Sequence, residues 1–316
     1  MKGLTDIPGI RVGHVSDYEA ITGCTAILCE QGAVGGVDIR GSATGTEETP
    51  ALDPGHVAPQ VHGVLLAGGS SFGLEAASGV RRYLERQGFG YDTGVVKVPI
   101  VPAAILFDLA IGKANVRPTA AMGEAAAAAA TADPVKEGCV GAGTGATVGK
   151  LLGIRQAMKS GIGSFTVTLP GGVIVSSLAA VNAFGDVRDP ANGKIVAGAR
   201  VSPASRAFAD TQEQMKRGIT GGLAVRNTTL VVVATNARLT KVQTTKLAQQ
   251  AGLGMARTIY PVNTMFDGDI VFALSLGDKQ ADVNTLGVAG AEAVAESILR
   301  AVKLAKTMGG VPGLGQ

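Results

Sequence analysis

The sequence contains no tryptophan and few aromatic residues of any kind, with four tyrosines and eight phenylalanines among 316 residues. Smaller side chains must therefore fill the core, and a hydrophobic fraction of 46% is enough to build a large one. No window approaches 18 uncharged apolar residues, which argues against a membrane span. The N-terminal residues contain no apolar stretch typical of a signal peptide, so we expect a cytoplasmic protein that does not bind membranes.

Cysteine pairs, basic clusters and metal-ligand sets are also missing. Cys24, Cys29 and Cys139 are odd in number and lack paired spacing, so we interpret them as free thiols in a reducing compartment. The 28 basic and 25 acidic residues give a net charge of +3 without a Lys/Arg cluster, which predicts no binding to nucleic acid. Without a His/Cys ligand set we expect no metal and no cofactor.

Two familiar catalytic motifs are rejected by residue spacing and order. Residues 69–73 (Gly-Ser-Ser-Phe-Gly) fit the bare pattern of a hydrolase nucleophile elbow, but all three histidines precede Ser71, whereas the usual triad needs a later one. Residues 140–150 resemble a phosphate loop, yet Thr144 stands where a glycine is required and Leu151 replaces the serine or threonine. Lys150 is left as either a surface lysine or a cation of a site.

The glycine-rich turn at 68–73 keeps a different role open. It follows an apolar run at 61–67 and precedes a predicted helix, and a strand, turn and helix N-terminus in this order can bind an anion or a carboxylate. Ser70, Ser71 and Phe72 are therefore candidate substrate-binding residues.

Residues 226–236 (Arg-Asn-Thr-Thr-Leu-Val-Val-Val-Ala-Thr-Asn) predict a buried strand opened by two hydroxyl residues. We hypothesise that the chain cuts itself between Asn227 and Thr228. A free N-terminal threonine carries its own base, because its α-amine can take the hydroxyl proton. That amine titrates at roughly 7.7–8.0, close to the working pH of a general base. Taken alone, Thr228 and Thr229 can also be ordinary strand residues, or part of a glycosylation sequon in a secreted protein.

Three more polar side chains stand at the ends of predicted strands. Asn182 follows a predicted hairpin (162–169 and 173–181), where its amide can cap a turn or stabilise an oxyanion. Asp267 and Asp269 stand two residues apart before another strand, so both point to one face. Such a pair can bind a divalent metal, share a proton with an amine, or belong to a solvated turn.

Other segments complete the predicted secondary structure. The pattern predicts a polar loop at 38–49 that is either solvated or lines a site, and a flexible linker at 218–225 where cleavage is sterically easy. Strands are predicted at 9–15 and 23–29, and helices at 119–132, 203–216, 240–251 and 288–305.

Taken together, the sequence resembles the family of the aminopeptidase DmpA and the nylon-oligomer hydrolase NylC over nearly its whole length. No single motif is specific, but the ordered set is. It comprises residues 7–14, 66–74, 99–109, 181–183, 227–229 and 267–269.

The resemblance implies an α/β fold, a four-layer αββα sandwich, in a single domain 1–316 that cleaves itself into 1–227 and 228–316. Thr228 matches the family's N-terminal nucleophile and Asn182 its oxyanion-stabilising asparagine. Lys150, Asp267 and Asp269 look like the lysine and two acids of the nylon-hydrolase branch. The aminopeptidase branch instead tends to carry serine and glutamate at the acidic positions and a serine nucleophile after glycine.

The expected activity is that of a self-processing N-terminal-threonine amidohydrolase or aminopeptidase acting on small peptides or amino-acid amides. In this scheme Lys150 lowers the pKa of the Thr228 amine, and the two aspartates orient that amine. The resemblance also suggests a homo-oligomer, specifically a tetramer. The alternatives are a metal-dependent hydrolase built on Asp267 and Asp269, a non-catalytic small-molecule binding protein of the same fold, and an acyltransferase.

Overall fold

The computed structural model describes residues 1–220 and 227–316. Most of the predicted linker at 218–225, together with Arg226, therefore lies outside the described residues. Within the described part of the chain, no helix is long and apolar enough to cross a membrane.

The described residues form sixteen strands, numbered in chain order. They are β1 Arg11–Asp17, β2 Thr22–Ile39, β3 Thr46–Glu47, β4 Val61–Ala67, β5 Tyr91–Asp92, β6 Lys97–Val98, β7 Ala103–Ile105, β8 Thr147–Val148, β9 Met158–Lys159, β10 Ile162–Leu169, β11 Val173–Asn182, β12 Asp186–Arg188, β13 Ile195–Ala197, β14 Thr228–Ala237, β15 Ile259–Tyr260 and β16 Ile270–Lys279. The α-helices in the same residues are α1 Glu75–Arg86, α2 Ala120–Ala128, α3 Thr211–Lys216, α4 Lys241–Ala251, α5 Leu253–Thr258 and α6 Val283–Lys303.

Strand β2 is 18 residues long and belongs to two sheets. Its first half pairs with β1 and β4, its second half pairs with β16, and the register with β4 shifts between Leu28 and Ala33. One sheet therefore contains β1, β2, β4, β7 and β3, and the other has the order β10-β11-β14-β16-β2.

Alternating side chains of these two sheets create three hydrophobic layers. In β14, Leu230 and Val232 point into a cluster shared with β4 and β2 of the other sheet, whereas Val231 and Val233 face α4, α5 and α6. On the far side, Leu65 of β4 packs against α1 and α2. The layers are thus helix, sheet, sheet and helix, which confirms the expected αββα sandwich. Both faces of β14 are buried, which explains its continuous apolar run.

Local sequence accounts for several element boundaries. The predicted hairpin is formed by β10 and β11 across residues 170–172. Helix α4 begins after Thr240, whose side chain makes a capping box with Gln243. The predicted C-terminal helix begins at Val283 rather than residue 288, because Asp282 caps it through the Thr285 N–H.

The prediction of a helix over 203–216 is wrong for most of its length. Only residues 211–216 are helical, after Asp210, which caps the helix through the Glu213 N–H. The preceding residues fold back as an isolated bridge between Arg200 and Phe208. Buried Asp186 accepts hydrogen bonds from the Ala199 and Thr211 N–H groups and so fixes both ends of this excursion.

The pairing of β14 with its two neighbours positions the candidate site. β14 runs antiparallel to β11, so Asn182 at the end of β11 lies opposite Thr228 at the start of β14. It runs parallel to β16, so the residues just before the two strands lie side by side, and Asn227 bridges to Asp267. One edge of the sheet therefore brings together residues that are far apart in the sequence.

Candidate active site

Thr228 is buried at the start of β14, with 2% of its surface exposed. Its Oγ1 donates a hydrogen bond of 2.5 Å to the carbonyl oxygen of Asn227, the residue at the other side of the predicted cut. The Gly268 N–H donates to the same oxygen at 2.7 Å. The hydroxyl thus faces the carbonyl group that it would attack, and that carbonyl is already polarised by a backbone donor.

Asn182 is fully buried on the same face of the sheet as Thr228. Its Oδ1 accepts hydrogen bonds from the Thr147 N–H at 3.0 Å and from Lys150 Nζ at 2.7 Å. Its Nδ2 donates to the Phe107 carbonyl oxygen at 2.9 Å. These bonds fix the amide orientation, and the second Nδ2 hydrogen is the group through which Asn182 could act on an oxyanion.

Lys150 is buried, with 3% exposure, so its interpretation as a surface lysine is wrong. Its Nζ also donates to the carbonyl oxygens of Thr147 and Asn182, at 3.0 and 2.9 Å. Burial lowers the pKa of Lys150 to about 7, against the opposing attraction of Asp267. Burial thus opposes the ammonium form, whereas the three hydrogen bonds that Nζ donates to oxygens favour it.

Asp267 and Asp269 are also buried, so the reading as a solvated turn is wrong. Thr264 donates to Asp267 Oδ2 from its N–H and its hydroxyl, at 3.1 and 2.6 Å. The Thr229 N–H donates to Asp269 Oδ1 at 2.6 Å. Burial raises the pKa of both aspartates, and the neighbouring Asp267 helps to raise that of Asp269 to about 7.

All four oxygens of the two carboxylates accept hydrogen bonds from protein donors. The other oxygen of Asp267 accepts from the Phe184 N–H, and that of Asp269 from the Asn263 N–H. Over residues 1–220 and 227–316, no group of three His, Cys, Asp or Glu side chains is arranged to hold a metal. Backbone N–H groups and the Thr264 hydroxyl thus hold both carboxylates in fixed orientations.

A glycine-containing loop supports the segment that carries the two aspartates. The N–H groups of Arg40 and Gly41 donate to the Asp269 carbonyl oxygen, and the Ala43 N–H donates to that of Asp267. A Cβ atom on Gly41 would lie 2.1 Å from the Asp269 nitrogen, so only glycine fits there. The polar loop predicted at 38–49 therefore supports the segment that carries the two aspartates, and we call it the bracing loop.

The turn containing Ser70, Ser71 and Phe72 is connected to the candidate site indirectly, through residues 106 and 107. Ser70 adopts a positive φ of 56°, and its N–H donates to the Leu106 carbonyl oxygen. Phe72 is 57% exposed, with the Arg117 guanidinium 4.1 Å above its ring. The turn is thus anchored beside Phe107, whose carbonyl contacts Asn182, and its role in substrate binding stays a prediction.

Known structures with the same architecture define the class of this fold. An L-aminopeptidase D-Ala-esterase/amidase from Ochrobactrum anthropi, described as a new variant of the Ntn hydrolase fold, matches with a TM-score of 0.74 at 22% identity, over 98% of this chain and 88% of that one. A β-aminopeptidase from Burkholderia sp. matches with a TM-score of 0.71 at 24% identity, over 99% and 91%. The chain has the fold of an N-terminal nucleophile hydrolase.

Comparison of the sequence with known proteins places the chain in one family of this class. The chain belongs to peptidase family S58, whose model matches residues 2–314. An uncharacterized aminopeptidase of Mycobacterium tuberculosis is 41% identical, over 99% of this chain and 96% of the relative. A 6-aminohexanoate-oligomer endohydrolase of Kocuria sp. (strain KY2) is 32% identical, over 94% and 85%. These matches confirm the resemblance drawn from the sequence, and the chain is a hydrolytic enzyme of the peptidase and amidase class.

Proposed function

We propose that the chain cleaves itself between Asn227 and Thr228 and that Thr228 then acts as an N-terminal nucleophile on the amide bonds of small substrates. The observation that carries this proposal is the contact of the Thr228 hydroxyl with the Asn227 carbonyl oxygen at 2.5 Å, with the Gly268 N–H on the same oxygen. Nucleophile, target bond and oxyanion donor are thereby assembled in one place before any cut is made.

In the uncut chain, Thr228 Oγ1 attacks the Asn227 carbonyl carbon and its proton passes to the cluster of Lys150, Asp267 and Asp269. The negative charge that develops on the carbonyl oxygen is stabilised by the Gly268 N–H. The bond from that carbon to the Thr228 nitrogen then breaks as the nitrogen takes up a proton, which leaves an ester and a free amine. Water hydrolyses the ester and releases Asn227 as a carboxylic acid.

In the mature enzyme, the new Thr228 amine takes the proton from its own hydroxyl, and Oγ1 attacks the substrate amide. The proton passes to the departing amine, and water hydrolyses the remaining acyl-enzyme. Asn182 helps to stabilise the oxyanion, Lys150 lowers the pKa of the Thr228 amine, and Asp267 and Asp269 orient that amine. Removing one oxyanion donor in sites of this kind costs roughly 3–4 kcal/mol of activation free energy.

The substrates that we propose are small peptides and amides of amino acids, in keeping with relatives named for aminopeptidase and oligomer-hydrolase activity. Transfer of the acyl group to an amine instead of water is the alternative outcome of the same acyl-enzyme. We also propose a cytoplasmic location, in keeping with three cysteines that are buried and unpaired. The homotetramer that we propose rests on the family resemblance alone.

The test is the intact mass of denatured protein, measured for the parent and for two variants of Thr228. We expect the parent to give two species that meet between Asn227 and Thr228, and Thr228→Ala to give one inactive species of 31.7 kDa. Thr228→Ser keeps a hydroxyl and an amine and should still be cut. An active Thr228→Ala protein that remains uncut would contradict the proposal.

A further inference from the structure

Asp267 follows a turn and forms an isolated β-bridge, and the backbone of residues 266–268 has different partners on its two edges. The carbonyl of Asp267 points to one edge, where it accepts from the Ala43 N–H of the bracing loop. The Phe266 carbonyl and the Gly268 N–H point to the other edge, and both bind the backbone of Asn227. This alternation is that of a β-strand, and Asn227 is its partner residue.

The contacts with Asn227 are made on both sides of its α-carbon. The Asn227 N–H donates to the Phe266 carbonyl oxygen at 3.0 Å, and its carbonyl oxygen accepts from the Gly268 N–H at 2.7 Å. Asn227 supplies the acyl half of the bond that is cut, so the uncut chain holds its own acyl group by two backbone hydrogen bonds. The same two groups would be exposed at a vacant strand edge once Asn227 had left.

Cleavage changes the charge at Asn227. The cut converts its carbonyl into a carboxylate that starts beside buried Asp267 and Asp269. Its negative charge is repelled by whichever of the two aspartates is ionised, whereas Lys150 and the new Thr228 amine attract it. The new C-terminus must leave this position before a substrate can occupy it.

We propose that the edge of residues 266–268 is the acyl-binding subsite of the mature enzyme. The substrate's scissile carbonyl accepts from the Gly268 N–H, and an N–H on its α-carbon donates to the Phe266 carbonyl oxygen, so the acyl group adds to the segment as a strand residue. This inference rests on the proposed function, because it assigns the place of the acyl group in that reaction.

The geometry at Gly268 explains why the donor can lie so close to the nucleophile. A Cβ atom there would lie 2.7 Å from Thr228 Oγ1 and 2.7 Å from the Ala43 carbonyl oxygen. Any side chain would therefore fill the space between the bracing loop and the hydroxyl. Only a bare backbone allows the N–H to reach the carbonyl that Thr228 attacks.

The subsite recognises an N–H group and not a positive charge. In the uncut chain the nitrogen that donates to Phe266 belongs to a peptide bond, because residue 226 is attached to it. An acylated nitrogen on the α-carbon is thus accepted as well as a free amine. The substrate class is therefore α-amino acyl amides, free or N-acylated, whereas a 6-aminohexanoyl group has no nitrogen near its carbonyl and is a poor match.

The experiment compares five 4-nitroanilides on fully cleaved enzyme: alanyl, N-acetylalanyl, N-acetyl-N-methylalanyl, propionyl and 6-aminohexanoyl. We expect kcat/KM for the first two to agree within about tenfold, because both carry the N–H. The other three leave the Phe266 carbonyl without a donor, and we expect them to be about tenfold to hundredfold slower, the usual effect of an unpaired buried acceptor.

The ratios and the absolute rates answer different questions. Three outcomes would contradict the subsite but not the proposed function. They are equal rates for the alanyl and propionyl compounds, no hydrolysis of the N-acetylalanyl compound, and 6-aminohexanoyl as the best substrate. A cleaved protein that hydrolyses none of the five would overturn the proposed function and the subsite with it.

Discussion

Lys150 lies in an environment that is unusual for a lysine. It is enclosed by protein and bound to three oxygens, and burial lowers its pKa from 10.5 to about 7. A lysine whose pKa is lower in the folded state destabilises that state progressively as the pH falls from about 10 to about 7. Below that range the full cost of burying the ammonium is present.

The effect of Lys150→Met on the stability of the fold should therefore depend on pH. We expect its free energy of unfolding relative to the parent to be higher at pH 6.5 than at pH 10 by a few kcal/mol, at about 1.4 kcal/mol per pKa unit. Both proteins should carry Thr228→Ala, so that only uncut chains are compared by denaturant titration. A difference between the two proteins that does not change with pH would contradict the lowered pKa.

Asn227 permits a test of which of its groups the uncut chain needs. Its two strand-like contacts with residues 266–268 come from its backbone, and its side-chain Nδ2 also donates to the Phe266 carbonyl oxygen at 3.3 Å. Asn227→Ala loses the side-chain contact but keeps both backbone contacts, so we expect it still to be cut, within about tenfold of the parent rate. Asn227→Pro removes the N–H that donates to Phe266, and we expect cleavage to slow by a further tenfold or more. The measurement is the rate of conversion of freshly refolded chains, followed by mass. Equal rates for the two variants would count against a role of that N–H.

The five candidate side chains were singled out because the ordered motifs matched a family, since each residue taken alone also fits an ordinary structural role. The structure brings them to one edge of the sheet, and their catalytic roles stay predictions. The backbone contributors could not be singled out in this way. Every residue has an N–H and a carbonyl, so nothing in the sequence marks Phe266 or Gly268 except a glycine between two aspartates. Thr264 was missed for a similar reason, since a hydroxyl three residues before an aspartate is common in turns.

At the scale of secondary-structure elements, the bracing loop is in close contact with the segment before β16. Gly41→Ala would place a Cβ atom 2.1 Å from the Asp269 nitrogen and 2.5 Å from the Asp267 carbonyl oxygen, both of them backbone atoms. The two aspartates must then shift, and a displacement of about 1 Å in a catalytic group commonly costs about a hundredfold in rate.

We expect Gly41→Ala to slow self-cleavage by about that factor, measured by the mass of the chain over time. Gly252→Ala is the matched control, because a Cβ atom at Gly252 would make only ordinary contacts of 3.4–3.5 Å. Normal cleavage of Gly41→Ala, or equal slowing of both variants, would show that the loop does not position the aspartates.

Elements with strong local signals were predictable, and those that depend on distant partners were not. The β10–β11 hairpin and α4 have a turn or a cap written into a few adjacent residues. The segment at 203–216 has helix-forming residues as well, but most of it is held non-helical by Asp186, which lies some twenty residues earlier. Tertiary hydrogen bonds overrode local preference there.

For the whole molecule, the position of the predicted cut determines what becomes of the two parts. Residues 228–316 contain β14 and β16, which pair with each other in the middle of a sheet and are flanked by β11 and β2 from residues 1–227. Cleavage before the first residue of β14 breaks one peptide bond and leaves both flanking ladders intact. The smaller part remains inserted between strands of the larger one.

The two parts should therefore stay together under native conditions and separate only when the protein is unfolded. We expect the native mass from light scattering to be the same for the cut parent and for uncut Thr228→Ala, even after extended dilution. Release of a 228–316 fragment from folded protein would be incompatible with this sheet order.

The four-layer architecture could be anticipated from the family resemblance but not from periodicity. Alternation along β14 is invisible because both of its faces are apolar, and the sequence predicts a strand over residues 23–29 only of the shared strand β2. Only the pairing with β4 and β16 reveals that a single strand continues from one sheet into the other.

The distribution of the site along the chain has a last consequence. Lys150, Asn182 and Asp267 come from separate parts of the sequence and meet Thr228 only when both sheets have assembled. If the chain cuts itself as proposed, a chain that misfolds before the site has assembled keeps the peptide bond at 227–228. Each cut molecule would then be a permanent record that it once reached the native state. A denaturing gel of destabilised variants would count how many chains ever folded, including those that have since unfolded.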